Sequence, residues 1–514
     1  MTFLNPLDWI AITVFLAVTA GIGAWTARRQ TTTSEYFVAN RRIPAFAVGF
    51  TMMATTISSV TFVAIPGSVF ARDCWQMLYM FMAVIVLFFV VRYVVGFYRH
   101  VVRMSAYEYL EKRFGYGARL YGSAGFIIVR LTDLGFTLYL TAVAVEVIAG
   151  WNLQWVAVGV GVFTLLYTLF GGIEAAIWTS VLQGVFLIGG AVIILGILLF
   201  TPPGGALGVL NDAYQAGKFG FGNFEFSFRS LYYDQATAWI LIAAGLLNFA
   251  RYYFTEQNMV QRYLVARSDR QARQGVTMGI LTTVPTWFIF AFIGACLWSF
   301  YHLTGETIPA HITKQPDTIL PYFIATKLPA GIVGLILAAL LSSAMSSVSA
   351  DLNSIATVAT QDYFARARPS STDRTRLAFG KFAVLVGGLL ATGAAVLLTL
   401  TRSTAAYEIV VISVSIVAGG MLGLFGLGFL TRRCTRLGAY VGILVCLLFV
   451  GWATLTGPLG VDLGINFTMN TILIGVFSHF ILFGAGYLAS VLFGGFRPEL
   501  TGLTVWTPAA HEDN

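Results

Sequence analysis

Charged residues are scarce in this chain of 514 residues. Asp, Glu, Lys and Arg make up 11% of it, whereas 57% is hydrophobic and the mean hydropathy is +0.79. A typical soluble domain contains about 25% charged residues, so this composition excludes an ordinary soluble domain. We predict an all-α polytopic membrane protein that is embedded in, and has as a partner, the lipid bilayer.

Residues for metal, redox or covalent chemistry are also few. The four cysteines have neither Cys-x-x-Cys nor zinc-ligand spacing, and the five histidines are scattered. No nucleophile–base pair or phosphate-binding loop is recognisable. The longest polar connections, near 200–235 and 302–325, are too short for an enzyme domain. We therefore predict that the protein is not an enzyme.

Long apolar runs dominate the rest of the chain. A membrane-spanning helix needs about 20 mostly apolar residues, and by this measure about 13 candidates are present. Their centres lie near residues 17, 58, 85, 133, 162, 187, 248, 287, 339, 389, 418, 445 and 480. The first run lacks a basic n-region and a cleavage site, so we interpret it as a retained helix rather than a signal peptide.

Basic residues are unevenly distributed among the connections between these spans. About 22 of the 31 Lys and Arg residues lie in alternate loops, and such residues accumulate on the cytoplasmic side. We predict a multi-pass protein of the cell inner (plasma) membrane, with its N-terminus outside and its C-terminus in the cytoplasm. This topology accounts for the formal charge of +8 without a nucleic-acid partner.

One apolar segment contains the polar run Ser342–Asp351. Within it, Ser343, Ser346 and Ser347 follow i, i+3, i+4 spacing, which gathers three side chains on one face of a helix. Such a face offers oxygen atoms to a small hard cation. The carboxylate that ends the run is costly at membrane depth, so by default it marks a functional site.

The second span has a polar patch at its middle, formed by Thr55, Thr56, Ser58, Ser59 and Thr61. Single Ser and Thr residues usually bond to their own i−4 carbonyls or let helices pack closely. This many hydroxyls together favour a broken helix, whose freed carbonyls must be buried or line a cavity. Transporters place such breaks beside ion-binding residues in folds built from two inverted repeats.

The order of the spans predicts the domain organisation. Five spans follow the leading helix and five more follow those, and an odd number of helices relates two such halves by inversion. We predict a leading helix at 1–30, five-helix repeats at 44–200 and 236–431, two further helices at 434–495 and a cytoplasmic tail at 496–514.

Five short motifs occur in a fixed order along the chain. They are SEYF at 34–37, SAYEYLEKRF at 105–114, GGIEAAIWT at 171–179, VQRYL at 260–264 and LNS at 352–354. In this order they resemble the sodium/solute symporter family, which includes sodium/glucose, iodide, proline and sialic-acid transporters. The segment ATTISSVTF at 54–62 and the Ile-Pro pair that follows are similar to bacterial sialic-acid symporters.

The resemblance implies a leucine-transporter-like fold that works by alternating access. It also implies a main sodium site between the broken helix and the serine-bearing helix. The ligands carried over to this chain are the carbonyl oxygens of Ala54, Ile57 and Ser343 and the hydroxyls of Ser346 and Ser347. Sodium is thus the implied cofactor, and neutral oxygens suit an ion that must also leave.

Some relatives have a second sodium site, from which this chain departs. Ser180 stands at the position of an aspartate ligand, and Ala350 replaces one of the serines, although Ser349 remains. A carboxylate reappears next to the altered position, at Asp351. Ser180, Ser349 and Asp351 are therefore a candidate second cation site, and the alternative is that Asp351 is solvated at the cytoplasmic mouth.

The resemblance also implies a solute site. The positions of Thr56, Ser58 and Thr61 hold the substrate carboxylate in sialic-acid symporters. Asp133 stands where the family has a substrate-contacting arginine, and Met80 where it has a glutamine. A carboxylate beside an acidic solute costs affinity, whereas a carboxylate readily accepts hydrogen bonds from solute hydroxyls.

Arg130 precedes Asp133 by three residues, so an ion pair within the helix is expected. Such a pair lowers the cost of burying both charges and is the simpler explanation of them. Gln76 and Tyr253 are further candidates for contact with the solute, through a hydrogen bond and an aromatic surface, with helix packing as the alternative role.

We therefore predict a sodium-coupled symporter that imports a small hydroxylated solute, a sugar or sugar-derived acid such as sialic acid. We expect it to function as a monomer and to carry one sodium ion per solute. The alternatives are a sodium-coupled symporter for monocarboxylates or other small organic anions, and a passive facilitator or a sensor on the same fold. The serine array argues against a facilitator, which needs no coupling ion.

Overall fold

The computed structural model describes residues 4–28, 30–233, 235–401, 419–495 and 499–507. Within these ranges the regular structure is helical, with isolated β-bridges that pair Ile43 with Ala266 and Thr504 with Thr507. The principal helices are α1 (Pro6–Ala27), α2 (Ala45–Thr56), α3 (Ser59–Ala71), α4 (Gln76–Phe89), α5 (Tyr116–Ala149), α6 (Leu153–Phe200), α7 (Ala238–Thr255), α8 (Gln257–Val265), α9 (Asp269–Thr304), α10 (Ile332–Val358), α11 (Asp373–Thr401), α12 (Met421–Leu430), α13 (Arg436–Thr456) and α14 (Ile472–Phe493).

Two helices continue through π-helical turns, α4 through Val90–Val94 into Val95–Val101, and α10 through Ala359–Phe364 into Ala365–Ala367. Short helices lie in the connections, at Thr33–Val38, Glu108–Phe114, Gly205–Gln215, Ala310–Thr313 and Ile319–Lys327.

The helices match the predicted membrane spans. Among the described residues, nine helices are long and apolar enough to cross a membrane, or ten if α2 and α3 form one broken span. The eighteen-residue α7 lies at the span predicted near residue 248. The span predicted near residue 418 and the tail at 496–514 lie largely outside the described residues. The described residues thus form the all-α, multi-span architecture expected from the sequence.

The spans predicted near residues 162 and 187 are joined in α6, which is kinked between them. Its 48 residues would measure about 72 Å if straight, which is more than twice the apolar thickness of a bilayer. The helix bends at Gly172, where φ is 58° and ψ is −153°. A Cβ atom there would lie 2.9 Å from the Tyr36 carbonyl oxygen, so only glycine fits this bend.

Loops that were predicted to share one side of the membrane contact each other. At one end of the bundle, Asp8 Oδ1 accepts hydrogen bonds of 2.7 Å from the backbone N–H groups of Gly331 and Gly334. At the other end, Asp373 accepts hydrogen bonds from the backbone N–H and the hydroxyl of Thr33. The alternation of loops inferred from the basic residues therefore agrees with the packing.

Glycines bring α9 close to the broken helix. A Cβ atom at Gly275 would lie 2.7 Å from the Val48 Cβ atom, and one at Gly279 would lie 2.8 Å from the Met52 Cβ atom. Small residues at such crossings let backbones approach, and dispersion contacts then stabilise the pair. The first half of the broken helix is thus held firmly on one side.

We expect Gly275→Val and Gly279→Val to lower the thermal midpoint of the purified protein by several degrees, because overpacking costs about 1–3 kcal/mol. Gly189→Val in α6 is the matched control, since an added Cβ atom there meets nothing within 4 Å. Equal midpoints for all three variants would contradict this account of the α2–α9 contact.

Candidate ion and solute site

The predicted helix break is present between α2 and α3. Ile57 and Ser58 are extended, with φ/ψ of −95°/105° and −106°/−178°. The last backbone hydrogen bond of α2 runs from Ile57 N to Met53 O at 2.9 Å. Because the helix stops here, the carbonyls of its last turn have no continuing helix to donate to them. They are available to other groups, which the serine-bearing helix supplies.

The serines of α10 face these carbonyls. The Ser346 hydroxyl donates to Ala54 O at 2.8 Å and lies 3.0 Å from Ser343 O. The Ser347 hydroxyl lies 3.3 Å from both Ser343 O and Thr55 O. These contacts therefore connect four of the five predicted sodium ligands, and Ile57 is the residue at which α2 ends. The carbonyl of Thr55 joins the set, which was not predicted.

This oxygen cluster fits a small cation chemically. All of its members are neutral carbonyl or hydroxyl oxygens on α2 and α10, and the serines are buried. A hydroxyl carries one rotatable proton and two lone pairs, so the serines that donate to carbonyls can instead turn their lone pairs toward an ion. Oxygen ligands are those that hard cations prefer.

A second helix break lies at Glu256 and was not predicted. Glu256 is extended, with φ/ψ of −85°/126°, and it separates α7 from α8. Every residue of α8 is buried. Arg262 on α8 reaches the first break, with Nη2 3.3 Å from the Thr55 hydroxyl, while Nη1 donates to Asn258 O at 3.0 Å. The sequence signal was the polar run at 256–262, which follows an apolar span directly.

The two breaks lie beside a buried cluster of charges. Arg130 Nη2 lies 2.9 Å from Asp133 Oδ2, which confirms the predicted i, i+3 ion pair. Arg130 also lies 3.5 Å from Glu256 Oε2 through Nε and 3.6 Å from Asp351 Oδ2 through Nη1. Glu256 forms a further ion pair with Arg251. Helices α5, α7 and α10 and the second break are thereby linked through side-chain charges.

Asp351 is part of this cluster rather than of a solvated mouth. It is 5% exposed, and its Oδ1 accepts a hydrogen bond of 2.8 Å from Asn258 Nδ2. The alternative that placed Asp351 in solvent is therefore wrong. The side chain is buried because α8 and Arg130 together supply partners for both of its oxygens.

The other two candidates for a second cation site, Ser349 and Ser180, make no hydrogen bond with Asp351 among the described residues. Ser349 is two residues before Asp351, so the two side chains leave α10 on different faces. The Ser349 hydroxyl lies 3.1 Å from Ser346 O and near the Tyr167 hydroxyl. Ser180 is buried on α6, and its hydroxyl has no hydrogen-bond partner within the described part of the chain. The described ranges contain no group of three His, Cys, Asp or Glu residues placed to hold a metal ion.

Three of the predicted solute residues, Thr56, Ser58 and Thr61, lie at or next to the first break. Thr56 and Ser58 are partly exposed, whereas Thr61 is buried. The Thr56 hydroxyl donates to Met52 O at 2.8 Å and is approached by the hydroxyl of Tyr253. Tyr253 itself is buried, so it presents no open aromatic surface.

Asp133 lies on α5, beside the second half of the broken helix. The Ser59 hydroxyl donates to Thr137 O at 3.0 Å, and this carbonyl lies one turn beyond Asp133. The Asp133 side chain is 35% exposed, in contrast to its buried partners in the charge cluster. Gln76 and Met80 lie partly exposed on α4, which packs on α7 through Tyr79 and Phe249. Asp133 is thus the most accessible member of the cluster.

Comparison with known proteins agrees with this geometry. Residues 36–446 match the model of the sodium:solute symporter family. The chain is 30% identical over 490 residues to a sodium/sialic acid symporter of Aliivibrio fischeri, covering 95% of this chain and 94% of that protein. It is 31% identical to one of Proteus mirabilis, covering 95% of each. A human sodium-coupled monocarboxylate transporter is 29% identical, covering 90% of this chain and 77% of the relative.

Solved structures give the same result. A substrate-bound, outward-open structure of a sodium-coupled sialic acid symporter superposes with a TM-score of 0.87 at 29% identity, covering 96% of this chain and all of that one. The nucleobase-cation symporter Mhp1, with a TM-score of 0.53 at 18% identity, shares the fold alone. The sequence motifs, the helix break opposite the serine array and these matches establish that the chain belongs to the sodium:solute symporter family.

Proposed function

We propose that this symporter imports an acidic, hydroxylated sugar of the sialic-acid class, and that sodium binds where the serine array meets the first helix break. The observation that carries the proposal is the contact of Ser346 with Ala54 O and Ser343 O. It supports a site at which one ion bridges two helices. The proposed ligands are the carbonyls of Ala54, Ile57 and Ser343 and the hydroxyls of Ser346 and Ser347.

Sodium at this site would stabilise one arrangement of α2 against α10 and prepare the cavity for the solute. Solute binding then favours closure of the outer side, and opening of the inner side releases both. At a membrane potential of about 100 mV, one cation that moves inward supplies about 2.3 kcal/mol. We propose a stoichiometry of one sodium ion per solute and a monomeric functional unit.

The proposed solute site uses hydroxyls for the acid group and a carboxylate for the sugar hydroxyls. Thr56, Ser58 and Thr61 lie at the first break, where they can donate to a solute carboxylate. Asp133 would accept hydrogen bonds from solute hydroxyls through Oδ1, because Oδ2 is the oxygen paired with Arg130. Gln76, Met80 and Tyr253 are proposed to complete the cavity.

A monocarboxylate is the second candidate cargo, because a relative at 29% identity is named as a monocarboxylate transporter. A small unhydroxylated acid could use the three hydroxyls of the broken helix. It would leave Asp133 without a hydrogen-bond donor, whereas a hydroxylated sugar acid with the same charge supplies one. The geometry therefore favours a hydroxylated cargo.

For orientation, we propose an extracellular N-terminus and a cytoplasmic C-terminus. The excess of Lys and Arg in one set of loops supports this assignment. The loop carrying Thr33 and the segment carrying Asp373, which contact each other, belong to that set.

A thermal-shift screen of the purified protein tests the proposed cargo. N-acetylneuraminate, glucose and propionate are each added in sodium chloride or in choline chloride. We expect stabilisation by N-acetylneuraminate that requires sodium, because a ligand stabilises only the state that binds it. Stabilisation by propionate alone would overturn the sugar assignment in favour of the monocarboxylate alternative.

A further inference from the structure

Arg130 contacts carboxylates from three different elements of the fold. Asp133 is on its own helix, Glu256 is at the second break, and Asp351 is on the serine-bearing helix. Arg130, Glu256 and Asp351 are at most 9% exposed. A guanidinium presents five donors in a planar fork, so one arginine can hold several carboxylates at once.

This arrangement is costly unless all partners are present. The cluster contains three carboxylates and two arginines. Arg130 lies within ion-pair distance of all three carboxylates, whereas Arg251 pairs only with Glu256. Removing one partner of a buried pair leaves an uncompensated charge, whereas apolar residues of similar size would often be no less stable. The stability of the folded protein therefore does not by itself explain why three carboxylates share the guanidinium of Arg130.

Asp351 and Asp133, which Arg130 joins, lie next to the proposed sodium site and the proposed solute site respectively. Asp351 follows Ser347 by one helical turn on α10, on the same face. Asp133, the more exposed end, lies one turn before Thr137, which holds the second half of the broken helix through Ser59. Arg130 is the link between them.

We infer that Arg130 is a positioning residue that couples sodium binding to solute binding through the chain Asp133–Arg130–Asp351. The inference rests on the proposed sodium and solute sites. A solute hydroxyl that engages Asp133 weakens its hold on Arg130, which then pairs more closely with Asp351 and fixes α10 at Ser347. Coupling between sites is reciprocal, so sodium that orders this turn of α10 raises solute affinity by the same factor.

A double-mutant cycle on sodium binding tests the chain without any solute. The full-length protein is titrated with sodium chloride at constant ionic strength, with choline chloride as the balance, and the sodium concentration for half-maximal thermal stabilisation is measured. Asp133→Asn weakens the hold on Arg130 as a bound solute would, so Arg130 pairs more closely with Asp351 and we expect that concentration to fall about threefold. In an Asp351→Asn background the same change should have no effect. Additive shifts in the two backgrounds would overturn the inference.

Asp362→Asn provides the matched control background. Asp362 is a fully buried aspartate on the continuation of α10, and it pairs with Arg119 rather than Arg130. The threefold effect of Asp133→Asn should persist there, and its loss would point to a general disturbance of the helix and overturn the inference. Asparagine has nearly the same side-chain volume as aspartate, so these variants should fold. Their thermal unfolding midpoints, measured without sodium, check this.

Arg130→Lys supplies a second readout. Lysine keeps the positive charge but lacks the fork that reaches several carboxylates, so sodium should still bind while Asp133→Asn loses its effect on it. In wild-type protein, sodium should tighten N-acetylneuraminate binding more than about fivefold, and Asp351→Asn should remove most of that gain. If N-acetylneuraminate does not bind to wild-type protein but the double-mutant cycle on sodium binding is non-additive, the proposed cargo is wrong and the chain Asp133–Arg130–Asp351 is supported.

Discussion

Replacing Ser346 or Ser347 by alanine is expected to raise the sodium concentration for half-maximal solute uptake about tenfold or more. Each hydroxyl is a proposed ligand, and a hydrogen-bonding group that interacts with a charge contributes about 1.5–3 kcal/mol. Since about 1.4 kcal/mol corresponds to a tenfold change in affinity, the loss of one ligand should weaken sodium binding at least tenfold. Ser346 should show the larger effect, since its hydroxyl makes the shorter contacts, at 2.8 and 3.0 Å. The measurement is uptake by proteoliposomes over a range of sodium concentrations.

Ser342→Ala is the control for this experiment. Ser342 is buried on the same helix, but its hydroxyl has no hydrogen-bond partner among the residues that the structure describes. Its removal should leave the sodium dependence unchanged within about twofold. If Ser342→Ala matches Ser346→Ala, the effect belongs to the packing of α10 and the proposed ligand set is wrong.

Asp133→Asn is expected to weaken solute binding about tenfold, with at most about a threefold effect on sodium. A hydrogen bond from a solute hydroxyl to a carboxylate is charge-assisted and about twice as strong as its neutral counterpart. The effect on sodium is smaller because it is transmitted through Arg130 rather than made by direct contact. Calorimetric titration with N-acetylneuraminate gives the first value, and a sodium titration gives the second.

Asp212→Asn is a suitable comparison for Asp133→Asn. Asp212 is paired with His302 and lies on a short helix outside the broken-helix region, so neither affinity should change. Tighter solute binding by Asp133→Asn would mean that the carboxylate repels the acid group of the solute. An equal loss of solute and sodium affinity would contradict the division of the two sites.

Local sequence pattern was sufficient to predict how the serines of α10 are arranged. Ser343, Ser346 and Ser347 are close in sequence, so helical periodicity alone places them on one face. The first break was visible because hydroxyls cluster in an apolar span. The Arg130–Asp133 pair was predictable for the same reason, since i, i+3 neighbours meet on any helix.

Contacts between distant segments could not be predicted in this way. Asp351 is buried because Asn258 and Arg130 reach it from α8 and α5, and nothing near Asp351 in the sequence indicates those partners. The second break at Glu256 was missed because it falls at the end of an apolar run, where a polar residue normally marks a loop. Its role as a helix break depends on α8 being buried by the rest of the bundle.

Uptake of labelled N-acetylneuraminate by proteoliposomes tests the central claim most directly. Vesicles loaded with potassium are diluted into sodium or potassium buffer of equal ionic strength, with and without a sodium ionophore. Sodium-coupled symport through the serine site predicts accumulation above the external concentration in sodium buffer only, with collapse when the ionophore is added. Equal uptake in potassium buffer, rising only to the external concentration, would contradict it.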